Sequence, residues 1–216
     1  MSSALLIKFI AAAGAMGGIV GGSYLAKPYI FPETETIKDR LKKDRWAILE
    51  HDGQSSEWSA IYGKYKLKTV NDVTRLDSSI TPNESDDTGI PKLKKSCESA
   101  LSKEFSESLY KSVIRWCVVP VSVESRLEYL GNYTKINVDG NNTNDDQSIW
   151  QQRETEFQKQ LATNNTYLGV NLPSPSNNQA DNIKKLKEGC KSHLDKKNYE
   201  DEFEISMEKV KTWCGK

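Results

Sequence analysis

Four cysteines, Cys97, Cys117, Cys190 and Cys214, are the residues of this chain best equipped for chemistry. A thiol can act as a nucleophile, ligate zinc or pair with a second thiol. A nucleophile needs a base beside it, and the sequence holds two histidines, His51 and His193. His193 stands one helical turn after Cys190, but Ala100 holds the matching place after Cys97, so no base accompanies both cysteines. Zinc is disfavoured because no two cysteines have the close spacing of a zinc knuckle and neither histidine has a matching partner. That leaves disulfide pairing, with four reduced cysteines serving as small buried apolar residues as the alternative.

The elements that must position these cysteines are helices. Leu93, Cys97, Ala100, Leu101 and Phe105 fall at three- and four-residue intervals, as do Tyr110, Val113, Ile114 and Cys117, which lays each set along one helix face. Pro91 suits a helix start, and Pro120 ends the second helix just past Trp116-Cys117. A reversal near Ser106 to Ser108 then brings Cys97 and Cys117 together at the open end of a hairpin. Ile183, Leu186, Cys190 and Leu194, followed by Phe203, Met207, Val210 and Cys214, predict a second hairpin that reverses over Asp195 to Asp201. A disulfide closing a loop of this size contributes about 3 kcal/mol in the chain-entropy model.

The two hairpins belong to a duplication. Ile90, Leu93, Cys97, Ser99 and Leu101 have the mutual spacing of Ile183, Leu186, Cys190, Ser192 and Leu194, and a Trp-Cys pair follows each set. Upstream, Thr36, Ile37, Arg40 and Leu41 match Ser122, Val123, Arg126 and Leu127, and Trp58 matches Trp150. Each unit runs to roughly ninety residues, near the lower limit for a self-sufficient core, so the units either stand in tandem or pack together. The extra residues of the second unit lie in polar stretches such as Asn137 to Ser148, as surface loops do.

The amino-terminal segment differs in character. From Ala4 to Ala26 its one charge is Lys8, and at about 1.5 Å per residue a helix of that length just crosses a bilayer core. Gly14, Gly18 and Gly22 recur every four residues and would let two such helices approach closely. A cleaved secretory signal is the alternative, although no clear small-x-small site precedes Lys27. The basic residues from Lys38 to Arg45 follow the segment, and the positive-inside rule would place the body in the cytoplasm. Oxidised cysteines require the opposite side, which is the orientation favoured here.

Other residues read as structural. Trp58, Trp116, Trp150 and Trp213 are expected in the core. Thr36 with Asp39 predicts a capping box, and Ser122 an equivalent cap. Arg40 and Arg126 could receive an anionic partner, but an arginine beside a capped apolar stripe more often pairs with a carboxylate such as Glu124. Asp139 to Asp146 is rich in oxygen but lacks the glycine and closing glutamate of a calcium loop, and is read as a flexible loop. Thr81 to Gly89 and Ser174 to Asp181 are expected as linkers into the hairpins. Asn83, Asn132, Asn141 and Asn164 head Asn-x-Ser/Thr triplets, meaningful only where a glycosylating pathway makes the protein. Acidic and basic side chains number 30 each, so no basic excess points to nucleic acid.

A glycine- and alanine-rich apolar start, a Thr/Ser-led Arg-Leu segment, a tryptophan, a cysteine with an apolar residue four positions on and a terminal Trp-Cys together resemble large paralogous families of uncharacterised proteins of hemotropic mycoplasmas. Trp116 to Pro120 and Ser122 to Leu127 carry the likeness best. The resemblance implies a wall-less bacterium whose exported proteins face the host, a role in surface variation or host contact, and no glycosylation of the asparagine triplets. It transfers no catalytic residue.

The sequence thus reads as mainly α, with an N-terminal hydrophobic helix and two tandem α-helical repeats, each ending in a cysteine-bearing hairpin. Residues 1–27 form the transmembrane anchor or signal, 28–120 the first repeat and 121–216 the second. The expected protein is non-enzymatic, needs no cofactor or metal, contacts the membrane through residues 4–26 and serves as a surface antigen or host-interaction module with an extracellular or secreted body. The alternative is a cytoplasm-facing, membrane-tethered scaffold with reduced core cysteines.

Overall fold

A computed structural model describes residues 34–131, 133–159, 167–172 and 178–216. The expected anchor with Gly14, Gly18 and Gly22 lies outside the described residues, as do Asn132 and Asn164. Residues Glu35–Lys216 form one compact unit. It is mainly α, with eight helices among the described residues, none long and apolar enough to cross a membrane. They are α1 (Ile37–Lys43), α2 (Ser55–Tyr65), α3 (Asp86–Leu101), α4 (Glu107–Trp116), α5 (Val123–Leu130), α6 (Gln147–Lys159), α7 (Gln179–Leu194) and α8 (Phe203–Trp213).

Local chemistry explains most helix ends. The Thr36 hydroxyl accepts from the Asp39 amide while the Asp39 carboxylate reaches back to the Thr36 amide, completing the capping box of α1. The Ser122 hydroxyl caps α5 through the Ser125 amide, and Gly131 ends that helix at φ 77°. Ser106 caps α4 and Asn178 caps α7. The first reversal therefore occupies residues 102–106, slightly ahead of the expected Ser106 to Ser108, because the Ser106 hydroxyl is used to start α4.

Pro91 departs from expectation, since it sits inside α3 rather than at its start. The helix begins upstream at Asp86, in the stretch read as linker, because Asp86 and Asp87 favour the positive end of the helix dipole. Gly89 also commits this turn to the core: a Cβ there would lie 1.9 Å from the Tyr62 hydroxyl oxygen. Packing of α3 against α2 thus outweighs the lost proline donor.

Two apolar clusters divide the compact unit, one from Ile37 to Val118 and the other from Val123 to Cys214. Each is built by the same four helix pairings. In the first half α1 packs on α3 and α4, and α3 on α2 and α4; in the second α5 packs on α7 and α8, and α7 on α6 and α8. Single β-bridges recur at corresponding places, Thr36 with Glu104 and Ile48 with Val118, then Ser122 with Lys197 and Lys135 with Gly215. An edge-on aromatic pair also recurs, Tyr65 with Trp116 and Phe157 with Trp213, each with ring centroids 5.1 Å apart.

Candidate functional site

The chemistry-bearing residues gather at the base of each hairpin. Cys97 is disulfide-bonded to Cys117 with a Cα separation of 5.5 Å, and Cys190 to Cys214 with 5.7 Å. All four are buried. These thiols have become cross-links between the two arms of a hairpin, held where water does not reach.

Around each disulfide stands the same set of contacts. Leu49 donates its amide to the Cys117 carbonyl at 3.1 Å, and Ile136 donates to the Cys214 carbonyl at 3.1 Å. The indole of Trp58 donates to the Glu50 carbonyl, and that of Trp150 to the Asn137 carbonyl. Both tryptophan helices follow a non-glycine residue in the left-handed region, Gln54 and Asp146, each at φ 55°. The expected core tryptophans Trp58, Trp116, Trp150 and Trp213 are at most 4% exposed.

A lysine three residues before the first cysteine of each hairpin completes the set. Lys94 donates to the His51 carbonyl and lies 5.5 Å from the Trp58 ring centroid. Lys187 donates to the Asp139 and Asn142 carbonyls and lies 5.8 Å from that of Trp150. Lys187 is 1% exposed, and burial pushes its ammonium pKa down. The oxygen-rich loop expected to be flexible is therefore organised around a side-chain cation, with side-chain oxygens of Asn137, Asp139 and Asn142 accepting from nearby amides. The paired lysines carry a signal in the sequence, since each stands three residues before the first cysteine of its hairpin.

His193 has no thiol partner. It is buried between α7 and α8, with Nδ1 2.8 Å from the Ser206 hydroxyl, and burial pushes its pKa down, assisted by Lys209 and Lys196. His51 instead lies on the surface beside Asp52.

The expected pairing of Arg126 with Glu124 does not form. Glu124 binds Lys135, while Arg126 crosses to the first half, donating to the Asp44 carbonyl at 2.6 Å and the Arg45 carbonyl at 3.0 Å. Its guanidinium carbon lies 3.8 Å from the Trp46 ring centroid. Arg40, the matching residue, pairs with Glu35 and lies over Phe105. The difference is local and electrostatic: a carboxylate, Glu35, stands just before the cap of α1, whereas Val121 holds that place before α5.

Asn198 and Asp201 add to this junction. The Asn198 side chain accepts from the Val121 amide at 2.8 Å and donates to the Ile114 carbonyl at 2.7 Å. Asp201 receives both Lys68 and Arg115, and these hydrogen bonds hold its carboxyl down to about 2. Trp46 packs against both apolar clusters. Trp46 and Asn198 carry no such signal, because no residue of the same type stands at matching spacing in the other half of the sequence.

Beside the junction, α4 and α8 flank an open cleft of about 600 Å³ with Trp46, Arg126, Phe203 and Met207 in its wall. A second open hollow lies against the loop organised by Lys187 and is lined by charges of both signs. Among the described residues no group of acidic, histidine and cysteine side chains is arranged to hold a metal ion.

Compared with protein-family models, curated proteins and solved structures, the chain matches none.

Proposed function

We propose that this chain is the non-enzymatic body of an exported or membrane-anchored protein, made of two tandem α-helical repeats and acting as a surface antigen or host-interaction module. The supporting observation is the pair of buried disulfides, one at the base of each hairpin. Such cross-links persist in oxidising surroundings outside the cytoplasm and are reduced inside it in most organisms. The recurrence of helix pairings, bridges and lysine-tryptophan contacts supports duplication of one stapled unit.

In this reading most of the conspicuous residues maintain the scaffold. The cysteines, Trp58, Trp116, Trp150, Trp213, Thr36 and Ser122 are spent on the interior or on helix ends, which leaves loops, outer helix faces and open clefts for recognition. The resemblance to large paralogous families of uncharacterised proteins of hemotropic mycoplasmas is compatible with this reading. Residues 1–27 would supply the anchor or export signal, with the membrane contact at residues 4–26.

Protease treatment of intact producing cells tests the proposal. The body is expected to be cleaved without lysis, and mass measurement before and after thiol reduction is expected to differ by four hydrogens. A protected body with four free thiols would replace this reading by the cytoplasm-facing scaffold.

A further inference from the structure

We propose that the cleft between α4 and α8 binds a small molecule carrying a carboxylate on an apolar body, with Arg126 as the anion anchor and Trp46, Phe203 and Met207 as the apolar seat. The anchor is a charge taken out of water: Arg126 is 7% exposed, and its partners are two backbone carbonyls and an indole face, all neutral. Among the described residues no carboxylate lies within ion-pair distance of it. Arg40, Arg115 and Arg153 each have one. Arg75 also addresses carbonyls only, but closes around three of them.

The nearest acid does not neutralise this guanidinium directly. Asp44 accepts the Tyr110 hydroxyl at 2.5 Å, an interaction that, with burial, pushes the phenol pKa up. Lys111 lies 3.8 Å from both Glu107 and Glu204, so its one charge is shared between these two acids of the cleft. Lys43, itself 3.9 Å from Glu35, Arg45 and Lys211 line the same cleft, and with Lys111 and Arg126 they make five cations against the four carboxylates of Asp44, Glu107, Glu204 and Glu208. An incoming carboxylate therefore finds a largely buried planar guanidinium on the cleft wall, whose five N–H donors exceed its two carbonyl acceptors, and a charge-assisted hydrogen bond to such a group is strong.

The apolar requirement comes from the wall. Phe203 is buried, Trp46 and Met207 are partly buried, and the Trp46 ring is tilted against Phe203 at a centroid distance of 6.5 Å. Thioether and aromatic surfaces adapt to flat apolar groups. The cleft volume of about 600 Å³ suits a small ligand.

Calorimetric titration of the full, oxidised chain with 4-phenylbutyrate tests the site, with 4-phenylbutanamide as the uncharged match and inorganic phosphate as the anion without a body. The acid is expected to saturate below about 10 mM, with amide and phosphate each at least about tenfold weaker. Met207→Glu, on the cleft wall rather than in the Arg126 contacts, is expected to abolish acid binding while preserving the thermal transition. Arg126→Lys is expected to weaken the acid more than the amide. Failure of the acid to saturate, equal binding of acid and amide, phosphate binding as tight as the acid, or an unchanged titration in folded Met207→Glu would each overturn the proposal.

Discussion

The guanidinium of Arg126 lies over the Trp46 ring and donates to the carbonyls of Asp44 and Arg45, joining the start of α5 to the end of α1. One side chain thereby satisfies two carbonyls near a helix terminus and covers an aromatic face that both apolar clusters share. Lysine supplies the charge but cannot span two acceptors while stacking. Arg126→Lys is expected to cost about 2 kcal/mol, and Arg126→Met about 2–4 kcal/mol, in urea unfolding followed by tryptophan fluorescence. A loss below about 0.5 kcal/mol for both would show that the junction does not depend on this residue.

The two disulfides close loops of similar size, with sequence separations of 20 and 24. If they act by restricting the unfolded chain, the double variants Cys97→Ala/Cys117→Ala and Cys190→Ala/Cys214→Ala should each lose about 3 kcal/mol, in near-equal amounts. Denaturant midpoints measured under one buffer check this. A clearly unequal loss would place the difference in native packing around the sulfurs rather than in chain entropy.

Acidification should weaken the fold in two stages. Burial holds His193 below its ordinary 6.5, so the unfolded chain takes up a proton before the folded one does. Stability is therefore full above about pH 6.5 and declines as pH falls toward the lower folded value. Lys209 and Lys196 oppose the added charge and Glu202 favours it. His193→Asn should flatten this first stage in a series of thermal melts. The second stage belongs to carboxylates held below their ordinary values, among them Asp72, Asp77, Asp146 and Asp201: the Asp201 salt bridges contribute above the unfolded carboxylate value and are lost as pH falls toward about 2. The Asp201 side chain is 70% exposed, so solvent screening limits that contribution to no more than about 1 kcal/mol.

Lys187 and Lys94 occupy matching positions but different surroundings. Lys187 is buried on two carbonyls, whereas Lys94 is half-buried on one. Lys187→Met should cost about 1–3 kcal/mol by leaving buried acceptors unpaired, and Lys94→Met about 0.5 kcal/mol or less. Amide hydrogen exchange should quicken over residues 137–146 in the first variant. Unchanged exchange there would show that the loop holds its form without the ammonium.

Several features were legible along the chain because they are written in local spacing. Thr36 three residues before Asp39 is a complete capping signal, and the apolar intervals around Cys97 and Cys190 place each cysteine on an inward helix face. Pro91 misled because a proline's cost is local, whereas the contact of Gly89 with Tyr62 that extends α3 upstream joins residues far apart in sequence.

Sequence alone therefore determined a mainly α chain with two cysteine-bearing helical hairpins, since periodicity, caps and breakers act within a few residues. Tertiary structure decided where Arg126, Lys187 and Asn198 would reach. Each of them binds main-chain carbonyls, and every residue of the chain carries a carbonyl, so no residue type marks the partner in advance. Only folding selects which carbonyls are left without helical partners, and those choices created the junction and its cleft.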